Sequence, residues 1–394
     1  MSLKLNSSGG GSVTLQEPVT ASTLTLNLPA TSGTMVLDGG SPTFATVTST
    51  ALTVNGNNIS AVNSMGFRNR IINGDMRIDQ RNSGASVTPA ALEYQIDRWR
   101  YFASQASKIT MGQNQGGVTP PVGFTNYLGL TSSSAYSVLT TDFFGYQQFI
   151  EGLNASDLAW GTANAQAVTL SFWVRSSLTG TFGGSIQNSG TNRSYPFSYT
   201  ISVANTWEQK TVTIPGDTSG TWLTTNGRGI AVNLMIGVGS NNSGTAGAWA
   251  ASDFRSATGA VSVVGTNGAT FYITGVQLEA GTVATPFERI DYGRELMLCQ
   301  RYFQQFADRH MGLTASSSQS YTGGVSLMTT MRATPTLAAG ASFAVGTGSV
   351  GTPALNQNAT AATSSSTFAQ IYNSDNNWVT ATYVEFNGGL TSEL

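Results

Sequence analysis

The side chains that could do chemistry here are few, and their spacing narrows the options quickly. His310, in DRHMG, is the one histidine of the 394-residue chain. Serine and cysteine nucleophiles generally need a positioned base, so a lone histidine removes most nucleophile–base relays. It reads as a structural or solvated residue. No G-x-S-x-G elbow, H-E-x-x-H run or phosphate-cradling G-x-x-x-x-G-K occurs. Cys299, the sole cysteine, excludes an internal disulfide framework and a thiolate zinc cluster, and reads as a small buried apolar residue. Glycan cleavage survives, because it needs only two carboxylates roughly 5–10 Å apart. The acids are thinly spread, however. Asp75 and Asp79 are close in sequence, but arginines surround both, which predicts lowered pKa values, the wrong direction for a general acid. The chain reads as a non-enzyme.

Binding chemistry is better represented. A sugar-binding surface needs flat aromatic faces ringed by amides and hydroxyls, on a surface with little charge. Three loops have that make-up: 188–197 (NSGTNRSYPF), 219–229 (SGTWLTTNGRG) and 239–254 (GSNNSGTAGAWAASDF). Their candidate ligand-binding residues are Tyr195, Trp222 and Trp249, with Asn226, Arg228, Asn241 and Asn242 as polar partners. Near the far end, NSDNNWVT adds Trp378 beside Asn376 and Asn377. Each aromatic has a competing role, packing beneath its own loop. A second cluster lies in residues 66–102, which hold six of fifteen arginines (Arg68, Arg70, Arg77, Arg81, Arg98, Arg100) with Asp75, Asp79, Glu93 and Asp97. It suits either an anion-binding patch for acidic glycans or an ion-paired collar fixing the domain to a stalk or to neighbouring protomers. Six arginines against four acids leave little surplus, which favours the collar.

These residues sit on an all-β chain. Charged residues make up only 10% of it, and 45 glycines with many Ser, Thr and Asn take their place. An aromatic content of 10% still allows packed cores. The net charge of −2, without a basic tract, argues against a nucleic-acid partner. No signal-peptide core and no run of about 18 apolar residues occurs, so a soluble protein without membrane insertion is expected. Residues 1–63 alternate with period two, as in TLTLNL (23–28), and read as a stalk-like β segment too thin to stand alone. Identical copies around an axis are its simplest partner. Residues 64–290 carry a series of short strands from RIINGDMRI to TFYITGVQLEAG, without helical periodicity, and read as one jelly-roll β-sandwich. A short turn is expected near 155–160. Residues 291–394 begin with a short helix in DYGRELMLCQ, burying Leu296, Leu298 and Cys299, and continue as a smaller C-terminal β-sandwich.

At this point the residues resemble a group of bacteriophage tail-fibre and receptor-binding proteins. The likeness rests on NRIINGDMRIDQRN with YQIDRWRYF, on FYITGVQLEAGTVATPFERIDYGRELMLCQRYF, and on MRATPTL (331–337). The start, GSVTLQEPVTASTLTLNLPATSGTMVL, is similar to the stalk-forming starts of such fibres. The NGD opening and VQLE closing strand also look like the first and last strands of carbohydrate-binding jelly rolls. This resemblance implies a homotrimeric virion component, made in the host cytoplasm and acting at the host cell surface. Its N-terminus would attach to other tail or baseplate proteins and its distal domains to a host surface glycan. By the same resemblance, a structural Ca²⁺ would take Asp75 and Glu279 as its nearest donors; no other cofactor is expected. A connector that only packs against neighbours and a polysaccharide depolymerase are the alternatives.

Overall fold

Side chains are described in the computed structural model for residues 68–306, 326–338 and 388–394, and further strands by their backbone alone. The chain divides into two units, Met1–Ile59 and Ser60–Leu394. In the first, β1 (Ser2–Asn6) pairs antiparallel with β2 (Ser12–Gln16), and β3 (Leu52–Val54) with β4 (Asn57–Ile59). The strand expected at 23–28 falls outside the described residues.

The second unit opens into a two-sheet jelly-roll sandwich. Its strands are β5 (Tyr94–Ile96), β6 (Trp99–Ala103), β7 (Ile109–Gln113), β8 (Leu128–Ser132) and β9 (Phe143–Glu151). They continue as β10 (Val168–Ser176), β11 (Gly180–Gln187), β12 (Ser194–Ile201), β13 (Glu208–Ile214) and β14 (Arg228–Val238). After a short parallel pair, β15 (Ser243–Gly244) with β16 (Ser256–Ala257), comes β17 (Thr270–Ala280). One sheet runs β13-β10-β17-β8-β7 and the other β12-β11-β14-β9-β6-β5. Period-two alternation drives this layering. Val168, Leu170, Phe172 and Val174 of β10 meet Ile230, Val232, Leu234 and Ile236 of β14 in one buried core, while Trp173 and Arg175 face away. The expected turn after β9 is a pair of 3-10 turns, Gly152–Asn154 and Ser156–Leu158.

One expected strand is absent. RIINGDMRI folds as an irregular turn, because Asn73 and Met76 take φ of 56° and 59°, outside the strand region. The segment still lies along β17: Arg70 N donates to Leu278 O and Val276 N to Gly74 O, both at 2.9 Å. Gln148 of β9 closes the other side, binding both the N–H and the carbonyl of Ile72 at 2.9 Å. Gly74 is required there, since a methyl group would overlap the Val276 carbonyl oxygen.

Beyond the sandwich, α1 (Tyr292–Gln300) is capped by Asp291, whose side chain accepts from the N–H groups of Gly293 and Arg294. It buries Glu295, Cys299 and Gln300; Leu296 and Leu298 are only partly covered. Cys299 is free and buried, as expected. Glu295 is inside because its carboxylate takes the Asn73 N–H of the NGD turn. The chain continues as β18 (Phe303–Met311), β19 (Thr314–Ala315), β20 (Tyr321–Ser326), β21 (Thr336–Leu337) and β22 (Ser342–Gly346). It ends with β23 (Ala354–Leu355), β24 (Thr360–Ser365), β25 (Phe368–Tyr372) and β26 (Tyr383–Thr391). These form two smaller sheets, one of five strands centred on β26 and one of four, β19-β20-β25-β24. His310 stands in β18 opposite Glu385 of β26. No described helix is long and apolar enough to cross a membrane.

Two outcomes test this construction. Gly74→Ala should cost about 1–3 kcal/mol through overpacking against β17, read as a lower midpoint in thermal or urea unfolding; an unchanged midpoint would contradict the close approach. The second concerns Asp97, whose carboxyl is pushed up to about 6 by burial, against Arg81 and the Gln80 donors. Its protonated form therefore favours the fold. That stabilisation is complete below the unfolded value near pH 4 and is lost as pH rises through 6. The stability of the wild type relative to Asp97→Asn should fall across that window, by about 1.4 kcal/mol for each pH unit crossed.

Candidate functional site

Three tryptophans and a tyrosine from four separate segments converge at one place in the sandwich. Trp160 follows the 3-10 turns and is packed into the core, while Trp222 and Trp249 lie partly buried against it. Trp160 meets Trp222 edge-on at 4.6 Å between centroids and Trp249 at 5.5 Å; Trp222 and Trp249 are 5.6 Å apart. Tyr195 of β12 closes the group, 5.2 Å from Trp249 and 5% exposed. These edge-to-face contacts are favourable geometries for aromatic pairs.

The indole donors fix each ring. Trp160 Nε1 donates to Gln166 O at 2.7 Å and Trp249 Nε1 to Pro215 O at 2.8 Å. Trp222 Nε1 donates to Asp217 Oδ2 at 3.2 Å. Asp217 is 1% exposed, and it also takes a bidentate pair from Arg193 Nε at 2.8 Å and Nη2 at 2.5 Å. That pair raises the pKa of Arg193 above its ordinary value. Gly161, at φ 84°, passes so close to the Gly220 carbonyl and the Trp222 ring that a side chain would not fit. Beside Trp160 and Trp222 opens a cavity of about 290 Å³, with Leu223 and Thr224 on its rim and Ala155 and Ser156 in its wall. It lies at the lower edge of the roughly 300–1,000 Å³ used by small-molecule sites. Its aromatic lining with hydroxyl groups suits a single sugar ring.

The other expected residues lie elsewhere. Asn226 is exposed, and its amide donates to Arg332 O at 3.3 Å while its carbonyl accepts from Arg332 Nη1 at 3.1 Å. Asn241 is exposed and anchors by its N–H to Thr140 O at 2.9 Å. Arg228 lies on the face of the six-stranded sheet turned away from the core, over Phe149. Trp378 is outside the described residues. Trp160 is not found by sequence reading: its place after ASDLA suggests a turn, and the signal that could reveal it is an apolar ring where a turn needs none.

The acidic residues behave differently from expectation. Burial raises Asp75 above the ordinary carboxylate range, outweighing Arg77 at 2.6 Å, so the predicted lowering is overturned. Burial raises Glu295 too, and the Asp75 charge acts in the same direction. The space beside this pair is about 10 Å³, which a water fills and a sugar cannot. Glu279 accepts from the Thr285 N–H and hydroxyl and from Gln277, and Asp75 pairs with Arg77. Among the described residues, no group of three or more His, Cys, Asp or Glu converges on a metal position.

No protein-family model matches this chain, and no curated protein does. Solved structures do align to it. A putative sugar-binding protein from Bacteroides thetaiotaomicron is 11% identical with a TM-score of 0.32, over 54% of this chain and all of its own. The enzymatically active domain of tailspike protein 4 from Bacteriophage CBA120 is 13% identical with a TM-score of 0.29, over 54% of this chain and 21% of that one. A family 11 carbohydrate-binding module from Clostridium thermocellum is 11% identical with a TM-score of 0.25, over 52% of this chain and 98% of its own. The sandwich is read from its own strand pairing.

Asp217→Ala should free the Trp222 ring and leave Arg193 uncompensated, at a cost of about 1–3 kcal/mol. Indole fluorescence should shift to the red and the unfolding midpoint should drop. Unchanged emission would show that Asp217 does not orient the ring.

Proposed function

We propose that this protein attaches a bacteriophage to its host by binding surface polysaccharide at the tryptophan cavity, without cleaving it. The observation that carries the reading is the 290 Å³ cavity walled by Trp160 and Trp222, whose indole donors are already satisfied by the protein. Trp222, the partly exposed ring of the two, can meet pyranose C–H groups, with Thr224 and Ser156 hydroxyls as hydrogen-bond partners. The resemblance of the VQLE…CQRYF and NGD segments to tail-fibre proteins supports the virion setting. A single small cavity binds weakly, and three copies on one fibre multiply weak contacts through effective concentration. A homotrimer joined to other tail proteins through residues 1–63 fits that need.

Binding of the full chain to a glycan array and to whole host cells tests the proposal. Trp222→Ala should weaken binding of the recognised glycan about tenfold, or 1.4 kcal/mol, with the unfolding midpoint monitored in parallel. Absence of any glycan binding by the folded wild type would sink the adhesin reading and leave the connector. Release of reducing ends from envelope polysaccharide would establish a depolymerase instead.

A further inference from the structure

The face of the six-stranded sheet turned away from the core carries an arrangement that the tryptophan cavity does not use. A chain of side-chain hydrogen bonds crosses four neighbouring strands, β6, β9, β14 and β11. Arg100 Nε donates to Gln147 Oε1 at 2.7 Å, and Gln147 Nε2 to Asn233 Oδ1 at 2.5 Å. Asn233 Nδ2 donates to Gln187 Oε1 at 2.7 Å, and Gln187 Nε2 to Asp253 Oδ1 at 2.6 Å. Gln147, Asn233 and Gln187 are each no more than 1% exposed, so the ladder is a fixed floor with its hydrogen bonds satisfied internally.

Above that floor three guanidinium groups lie on three phenylalanine rings. Arg255 is 3.7 Å from the Phe143 centroid and 5.2 Å from Phe102. Arg100 is 4.4 Å from Phe149 and 5.3 Å from Phe102, and Arg228 is 4.9 Å from the same Phe149 ring. Arg255 has a carboxylate, Asp253, at 2.7 Å. Arg100 and Arg228 have none among the described residues; Arg228 reaches only the carbonyl of Ser189. Seven other arginines of this unit, Arg68, Arg70, Arg77, Arg81, Arg98, Arg193 and Arg301, each stand against an acid. Arg175 over Tyr272 and Arg289 over Phe124 likewise have only carbonyl partners, so Arg100 and Arg228 are set apart by lying over one shared ring. Burial, with the Arg228 charge adding to it, disfavours the cationic form of Arg100, and burial does the same for Arg228. Neither has a carboxylate within ion-pair distance, although Asp253 favours the charge on Arg228 and Glu393 that on Arg100 from further away.

We propose that the Arg100–Arg228 pair holds the carboxylate of an acidic sugar residue, so that the recognised polysaccharide contains uronic acid. This rests on the glycan-binding reading above. The carboxylate follows from the donors: guanidinium forks held over aromatic rings match a planar carboxylate bidentately. The lysine and backbone N–H nests favoured by phosphate are not part of this face, since Lys108 lies over Tyr136 and Lys210 pairs with Glu208. Phe143, only partly covered, offers an apolar edge for the ring carrying that carboxylate.

The test compares the full chain against an oligogalacturonate, its carboxyl-reduced neutral counterpart and a sulfated oligosaccharide of the same length, by calorimetry at two salt concentrations. The acidic oligosaccharide should bind at least about tenfold more tightly than the neutral one, with the margin shrinking as salt rises. Arg228→Gln, which touches no member of the ladder, should erase that margin and leave neutral binding unchanged. Arg228→Lys should retain only part of it, because a point charge replaces a fork. Equal affinity for acidic and neutral forms overturns the carboxylate site while the glycan reading stands. Preference for the sulfated ligand overturns the choice of carboxylate. Failure to bind any of the three, when an array shows binding of other neutral glycans, overturns the acidic-sugar assignment, and failure on the array as well overturns the glycan reading beneath it.

Discussion

Arg98 is a fully buried cation at the tip of the β5–β6 hairpin, and much of the second unit is arranged to make that tolerable. Its φ of 71° is left-handed, an uncommon setting for a long side chain, and it turns the guanidinium inward. There it donates to Glu393 and, at 2.5 Å, to the carbonyl of Phe149 in β9, and it lies 3.4 Å from the centre of the Tyr302 ring. Arg81 holds the other Glu393 oxygen at 2.8 Å. The Tyr302 hydroxyl donates to Glu151 at 2.5 Å, and Arg301 pairs with the same carboxylate at 2.8 Å. A buried charge without its partners costs several kcal/mol, so losing one member of this network destabilises the rest. It ties the 66–102 stretch, β9, the end of α1 and residues 392–394 into one structure.

The same network reaches the tryptophan cluster through the chain itself. Glu151 is the last residue of β9, and the 3-10 turns that begin at Gly152 deliver Trp160. Arg70 grips those turns, donating to Asn154 O at 2.5 Å and to both oxygens of Asp157. Gly152 and Leu153 in turn bind the carbonyls of Gly227 and Thr225, at 2.9 Å each, which places the loop carrying Trp222. The arginine-rich segment thereby braces the turns that lead to Trp160. The collar expected from its composition is ion-paired as foreseen, and the carboxylates it meets in the described residues belong to the jelly roll and to residue 393.

The elements that the sequence discloses and those it hides differ in physical kind. Alternation in SFWVRS or IAVNLMIGVG depends on neighbours two residues apart, so β10 and β14 are visible without any tertiary knowledge. The NGD turn is hidden because its left-handed Asn73 and Met76 are imposed by β17 and Gln148, which lie far off in sequence. Glu295 enters the core against its type because a turn over two hundred residues earlier presents it with an N–H, and the same burial reverses the expected pKa of Asp75. Tyr195, Trp222 and Trp249 are legible as aromatics in polar loops, but not that they touch one another or that Trp160 is their centre. Composition names a ring and says nothing of which rings meet.

The scarcity of charge is the most informative trait once the pairs are drawn. With 18 basic and 20 acidic residues in 394, a folded unit can match many of its arginines to carboxylates inside the molecule. The outside is then left to amides and hydroxyls, which hydrogen-bond without long-range attraction. Against such a background two guanidiniums over one ring, neither within ion-pair distance of a carboxylate, make a local positive field. Arg100 belongs to the stretch that holds the unit together, yet of its six arginines it is the one without an acid. The roles therefore divide within a single segment: five of its arginines pair with carboxylates, and Arg100 donates instead to the Gln147 amide.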